Sequence, residues 1–133
     1  MKLNKFSVKK SKSGLGLCAN TLIKKGSFVI EYTGKIITEE QANKKGGKYL
    51  FKIDSKFTVD GTDRKNISRY INHSCRPNCE AYIVGKKIKI YAKKNIQPGE
   101  ELNYNYGKDY FDEYIKPFGC KCAYCQSKNL TLP

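Results

Sequence analysis

The chain encodes a mostly β domain with one or two short helices. Three observations point there: short runs rich in aromatic and β-branched residues, glycine-marked turns between them, and a two-strand hairpin pattern over 81–92. At 133 residues and 15.2 kDa there is room for one domain with a core of its own.

The elements follow in order. Phe6 to Lys9 reads as a first strand and Ser13-Gly14-Leu15-Gly16 as a loop. Leu17 to Ala19 and Ser27 to Tyr32 read as strands, split by a turn at Lys25-Gly26. Thr38-Glu39-Glu40-Gln41 is a capping box, which predicts a short helix to about Lys45, stopped by Gly46-Gly47. Tyr49 to Ile53 and Phe57 to Asp60 have strand composition. Within 81–92, Gly85-Lys86 separates two strands with glycine first, as a type II′ hairpin requires. On the second strand Ile88, Ile90 and Ala92 share one face, and Lys87, Lys89 and Tyr91 the other. Pro98-Gly99 fits a type II turn, Glu101 to Tyr106 a strand, and the residues from Lys116 on a loop-like tail.

Composition bounds the function. Lys+Arg number 26 against 12 Asp+Glu, a net charge of +14. Such a field attracts polyanions: nucleic acid, acidic proteins, anionic membrane surface. Solubility alone explains it equally well. No apolar run approaches the roughly 20 residues of a membrane-spanning helix, and no apolar stretch follows the basic Met1 to Lys12 segment, so neither a span nor a secretory signal is expected. A reduced intracellular compartment is then the default for six cysteines.

Three segments carry chemistry. Cys120-Lys121-Cys122-Ala123-Tyr124-Cys125 places three thiols in six residues, a spacing suited to one tetrahedral Zn²⁺, with disulfides or free thiols as the alternative. The fourth ligand is open among Cys75, Cys79, Cys18 and His73; spacing favours the Asn72 to Cys79 segment. That segment, Asn72-His73-Ser74-Cys75-Arg76-Pro77-Asn78-Cys79, holds the only histidine among asparagines, a structural or a binding arrangement. In Gly99 to Gly107, Tyr104 and Tyr106 are two apart and so share one side of a strand, as packing or as the lining of a channel.

Together these segments resemble the SET-domain protein lysine methyltransferases with a post-SET zinc motif. Ser13 to Leu17 is similar to the family's G-x-G cofactor loop, Glu31-Tyr32-Thr33-Gly34 to its E-Y-x-G strand, and Tyr49-Leu50-Phe51 to the Y-L-F strand beside the substrate groove. Asn66 to Asn78 closely follows the N-I-x-R-F-I-N-H-S-C-x-P-N signature, Gly99 to Tyr106 resembles G-E-E-L-x-Y-D-Y, and the cysteine cluster resembles the post-SET tail. The likeness spans residues 6 to 125.

The resemblance implies a fold of small curved sheets in which the Asn72–Cys79 segment and the Glu101–Tyr106 strand interlock as a pseudoknot. It implies a SET domain over 1–108 and a zinc-binding tail over 109–133. The activity implied is S-adenosylmethionine-dependent methyl transfer to a protein lysine, with histone or nucleosome as the expected substrate, in nucleus or chromatin for a eukaryotic or host-directed protein and in cytoplasm for a bacterial one. Tyr106 would orient methyl and amine, with Tyr32 and Tyr104 lining the lysine channel. Gly14, Leu15, Gly16 and Leu17 would meet the cofactor largely through backbone, Tyr49 and Arg69 at its methionine portion or rim, and Asn72 and His73 directly. Cys75, Cys120, Cys122 and Cys125 would hold one structural Zn²⁺, leaving Cys18 and Cys79 outside. A tyrosine rather than phenylalanine at 104 implies mono- or dimethylation. Two positions depart from the family pattern: Tyr70 replaces phenylalanine and Asn105 replaces aspartate. The tail is also shorter than in many members.

Because a +14 protein repels a basic tail within the ~8 Å Debye length, a local acidic groove (Glu31, Glu80 and Asp109 are candidates) or recruitment through DNA is expected. The competing reading is a basic zinc-containing nucleic-acid or chromatin binding module without catalysis.

Overall fold

The computed structural model describes residues 5–11, 14–122 and 124–125, the side chains of Asp109, Glu113 and Phe118 excepted. Ser13 of the expected cofactor loop, the Asp109 carboxylate of the expected acidic groove, and the tail beyond 125 lie outside the described residues.

Among the described residues, ten short strands form four small sheets. β1 (Phe6–Ser11) and β2 (Gly14–Ala19) make an antiparallel hairpin. The expected loop over 14–16 is therefore strand: pairing with β1 satisfies its backbone and overrides the low strand preference of glycine. β3 (Phe28–Tyr32), β8 (Cys79–Val84) and β9 (Lys87–Ala92) form one antiparallel sheet with β9 central. Ile88, Ile90 and Ala92 of β9 are buried as the alternation requires. The β8–β9 loop has two residues, with Gly85 at φ 64° and Lys86 at negative φ, which is the type II′ turn. β4 (Lys35–Thr38), β6 (Phe57–Asp60) and β5 (Leu50–Lys52) form a second three-stranded sheet. Between β4 and β5, α1 (Glu39–Lys45) starts at the predicted capping box: the Gln41 N–H donates to Thr38 Oγ1 at 3.2 Å and the Thr38 N–H to Gln41 Oε1 at 2.9 Å.

The fourth sheet decides the site. β7 (Asn72–His73) and β10 (Asn103–Tyr104) pair in parallel, Asn103 beside Asn72 and Tyr104 beside His73. Parallel strands need a long crossover, which β8 and β9 supply. The joint is fastened side chain to backbone. The Asn78 N–H donates to Asn103 Oδ1 at 2.8 Å, the Asn103 N–H donates to Asn78 Oδ1 at 3.0 Å, and the Asn78 amide donates to the Glu101 carbonyl at 2.9 Å. The strand expected over 101–106 shortens accordingly: Glu101 bridges antiparallel to Cys18, and beyond Tyr104 the chain turns. Asn105 Oδ1 accepts the Gly107 N–H at 2.8 Å, an acceptor role that aspartate fills equally, which accounts for that departure.

Leu17, Ile71, Ile88, Ile90, Ile96 and Leu102 are fully buried where these sheets meet. The tail is helical before it reaches the cysteines: α2 (Lys108–Tyr110) runs into a π turn (Phe111–Ile115) and a 3-10 turn (Lys116–Phe118), where a loop was expected from 116 on. No helix among the described residues is long and apolar enough to cross a membrane.

Candidate active site

Four rings from three stretches of the sequence meet in one row. Tyr32 ends β3, Phe51 lies in β5, Tyr104 in β10, and Tyr106 follows two residues on. Ring centroids step from Tyr32 to Phe51 at 5.3 Å, to Tyr104 at 6.0 Å and to Tyr106 at 5.0 Å. These residues wall a cavity of about 460 Å³, within the roughly 300–1,000 Å³ range of ligand sites.

Each ring is held. The Tyr32 hydroxyl donates to the Tyr49 carbonyl at 2.9 Å. A Cβ on Gly61 would lie 2.4 Å from the Tyr32 ring, so only glycine fits there. Buried Asn66 clasps this corner: its Oδ1 accepts the Thr33 N–H at 3.0 Å and its amide donates to the Gly61 carbonyl at 3.1 Å. The Tyr106 hydroxyl donates to the Ile71 carbonyl, and its main-chain N–H donates to His73 Nδ1 at 3.1 Å. Tyr104 is 5% exposed. Burial first, then neighbouring phenols, push Tyr32, Tyr104 and Tyr106 above the ordinary tyrosine range, so they stay neutral donors. Burial pushes His73 down and keeps it neutral.

A second cavity of about 360 Å³ adjoins the first and shares Tyr106, Tyr110, Tyr114 and Lys48 with it; its other wall is Asn72, His73 and Cys120 to Cys122. A groove of about 600 Å³ continues past Asn72 and His73 to Ser11, Glu101 and Tyr124. Asn72 ties this region together. Its amide nitrogen donates to the Leu15 carbonyl at 2.9 Å and to Glu101 Oε2 at 2.8 Å. A Cβ on Gly16 would lie 2.5 Å from that same carboxylate. Of the expected cofactor residues, Gly14 and Leu15 are exposed on the hairpin and Leu17 is in the core. Tyr49 and Arg69 line the tyrosine cavity, with the Arg69 guanidinium 4.1 Å above the Tyr49 ring.

The cysteines separate cleanly. The sulfurs of Cys75, Cys120, Cys122 and Cys125 lie within 4.8 Å of one another, with Cys75 at 3.9 Å from Cys120 and 3.5 Å from Cys125. Four thiolates at about 2.3 Å from a tetrahedral Zn²⁺ stand about 3.8 Å apart, so the set fits one such ion. Burial, then the neighbouring sulfurs, raise the Cys75 thiol, and burial raises Cys120 to about 11. A dication at the centre compensates that crowding. None of the six cysteines forms a disulfide. Cys79 is fully buried in the core and Cys18 sits beside Glu101. His73 bridges the two regions: Nδ1 takes the Tyr106 N–H, so in the neutral ring the proton is on Nε2, 3.4 Å from the Cys75 sulfur.

The resemblance placed Phe51 beside the substrate groove, but the sequence reading missed Lys48, Tyr110 and Tyr114 as cavity residues. For the tyrosines a signal existed: 106, 110 and 114 are spaced at i, i+4 and i+8, one face of a helix. Their rings touch in turn, Tyr106 edge-on to Tyr110 at 5.2 Å and Tyr110 tilted on Tyr114 at 4.8 Å. Glu31 and Glu80, expected in an acidic groove, line neither the tyrosine cavity nor the second one. They stand on the outer face of the β3-β9-β8 sheet, paired across it with Lys89 and Tyr91.

Comparison with known proteins agrees with this architecture. Residues 14–107 match the SET domain family model. The chain is 45% identical over 122 residues to the H3 lysine-4 specific histone-lysine N-methyltransferase of Schizosaccharomyces pombe, covering 82% of this chain and 13% of that protein. It is 35% identical over 137 residues to the H3 lysine-36 specific enzyme of Aspergillus oryzae, covering 93% of this chain and 14% of that one. Among solved structures, the Chaetomium thermophilum polycomb repressive complex 2 superposes with a TM-score of 0.70 at 34% identity, over 78% of this chain and 15% of that chain. The chain belongs to the SET-domain family. It spans a small part of the length of these relatives.

Proposed function

We propose that the protein transfers methyl groups from S-adenosylmethionine to the side-chain amine of a protein lysine, with histone or nucleosome as the substrate and chromatin as the place of action. The observation that carries this is the pair of adjoining cavities meeting at Tyr106, one walled by phenol rings and one by Asn72, His73 and the cysteine cluster. The cofactor supplies a sulfonium methyl group. The chain's residues do the rest. Asn72 and His73, with the Gly14–Leu17 backbone, would hold the cofactor, and Tyr49 and Arg69 would bound its methionine end. Tyr32, Tyr104 and Tyr106 would admit the lysine end-on. Alignment in such a tube is mainly proximity catalysis. Phenol faces also accept a cationic methylammonium product. Cys75, Cys120, Cys122 and Cys125 would bind Zn²⁺ with no open position, as a structural ion. The Tyr104 hydroxyl would hold a water where a growing methylammonium needs space, which favours mono- or dimethylation.

The test is transfer of labelled methyl to histone octamer and to nucleosomes by zinc-loaded protein, with calorimetry of cofactor binding. Product carrying the label, and its loss in Tyr106→Phe, support the reading. Nucleosome binding with no measurable affinity for the cofactor would instead make this a basic chromatin-binding module, the reading the +14 charge favours. Mass spectrometry of the Tyr104→Phe product reads the methylation limit: a shift to trimethyl-lysine supports it, and equal trimethylation by both forms rejects it.

A further inference from the structure

Away from both cavities, three aromatic rings stand side by side on the outer face of the β3-β9-β8 sheet. Phe28 lies opposite Tyr91 in register, and their rings meet edge-on with centroids 5.7 Å apart. Tyr91 and Tyr82 meet edge-on at the same separation, 5.7 Å. Phe28 is 52% exposed and Tyr82 48%, so water covers about half of each. Rings scattered singly on a surface need no explanation, but rings in contact mark an interaction surface. None of the three lines the two cavities that meet at Tyr106.

The charge around the rings identifies their partner. Two turns tied to each other flank the Phe28–Tyr91 end of the row. The Gly26 N–H donates to the Ala92 carbonyl at 2.8 Å, the Ala92 N–H to the Ser27 carbonyl at 2.9 Å, and the Lys25 N–H to Asn95 Oδ1 at 2.8 Å. These turns carry Lys24, Lys25, Lys93 and Lys94, all exposed. Lys87 and Lys89 stand on the outer side of β9 itself. Two carboxylates share the face, and both have neighbours: Glu80 accepts from the Tyr82 hydroxyl at 2.6 Å, and Glu31 is paired in register with Lys89. Lysines attract phosphate as point charges, and aromatic side chains stack on unpaired bases of any sequence. A duplex keeps its bases stacked inside and offers such rings nothing.

We propose that this face binds single-stranded nucleic acid, with bases against Phe28, Tyr91 and Tyr82 and phosphates toward Lys24, Lys25, Lys93 and Lys94. The surface is separate from the candidate active site, so the proposal goes beyond methyl transfer and stands or falls without it.

Fluorescence anisotropy of the full zinc-loaded chain with a labelled oligothymidine, and with a mixed-sequence duplex of equal length, tests it. Phe28→Ala and Tyr82→Ala are each expected to weaken the single strand about tenfold and to leave the duplex unchanged. Phe28→Tyr keeps a ring and should keep the affinity, and urea midpoints separate lost contact from lost fold. Lys93→Gln/Lys94→Gln should weaken the single strand and flatten its log–log salt slope by about 0.7 for each phosphate contact removed. Lys35→Gln/Lys44→Gln changes net charge equally on β4 and α1 and should leave that slope as it was. Alanine variants that bind oligothymidine as the original does, or that lose single strand and duplex alike, overturn the proposal. So does loss of histone-octamer binding with oligothymidine binding intact, which makes the rings a protein-docking face.

Discussion

The tyrosine chamber and the cysteine tail lie on either side of Tyr106 and are held by opposite means. The chamber is built from strand ends whose rings are buried and whose hydroxyls are tied to backbone carbonyls of Tyr49 and Ile71. The tail, from Lys108 to Cys125, contributes short helical turns and then three sulfurs, which meet that of Cys75, with few apolar contacts to the core cluster. Packing preorganises the first; in the proposed function a metal ion organises the second. The two regions should therefore fail separately.

The largest effect expected is from removing the metal. Structural zinc sites contribute on the order of 10 kcal/mol to the fold they close. Chelation, or Cys120→Ser, is expected to abolish transfer while the far-ultraviolet circular dichroism of the β sheets persists; cooperative loss of all β signal would erase the distinction. Next is Tyr106→Phe, which removes the donor that the proposed function places at the reaction centre. A fall in kcat of about 100-fold is expected, with cofactor affinity by calorimetry little changed. Gly61→Ala attacks the chamber through its wall, since the new methyl would overlap the Tyr32 ring. A loss of about 2 kcal/mol in urea unfolding is expected, and metal content by mass spectrometry should be unaffected.

A smaller effect concerns pH. No described carboxylate lines the cavity, its phenols are raised by burial and His73 is lowered by burial. The substrate amine, with an ordinary pKa of about 10.4, then supplies the titration. The rate should rise with pH from 7 to 9, close to tenfold per unit, because only the neutral amine reacts. A plateau that moves in Tyr104→Phe would assign the proton to the enzyme instead. Smallest of all, Lys108→Ala removes an exposed surface pair and should leave the urea midpoint unchanged.

What was legible in the sequence was local. The capping box at Thr38, the Gly85-Lys86 hairpin and the alternation of β9 each lie within a dozen residues, and each reappears in the structure. The cysteine spacing pointed to a candidate metal site but left four candidates for its last ligand. Geometry selects Cys75, because Cys79 turns into the core and Cys18 faces Glu101. The parallel pairing of β7 with β10 leaves no periodic trace, since neither strand exceeds two residues. It was reachable only through resemblance. So was the meeting of Phe51 with Tyr104, which joins two different sheets.

The bond from the Tyr106 main chain to His73 joins groups 33 residues apart in sequence. Such a contact rewards the chain only after a long loop has closed, and closure entropy delays it. The hairpins can form from neighbours alone. The candidate site therefore assembles after the hairpins, because it needs β10 to close on β7.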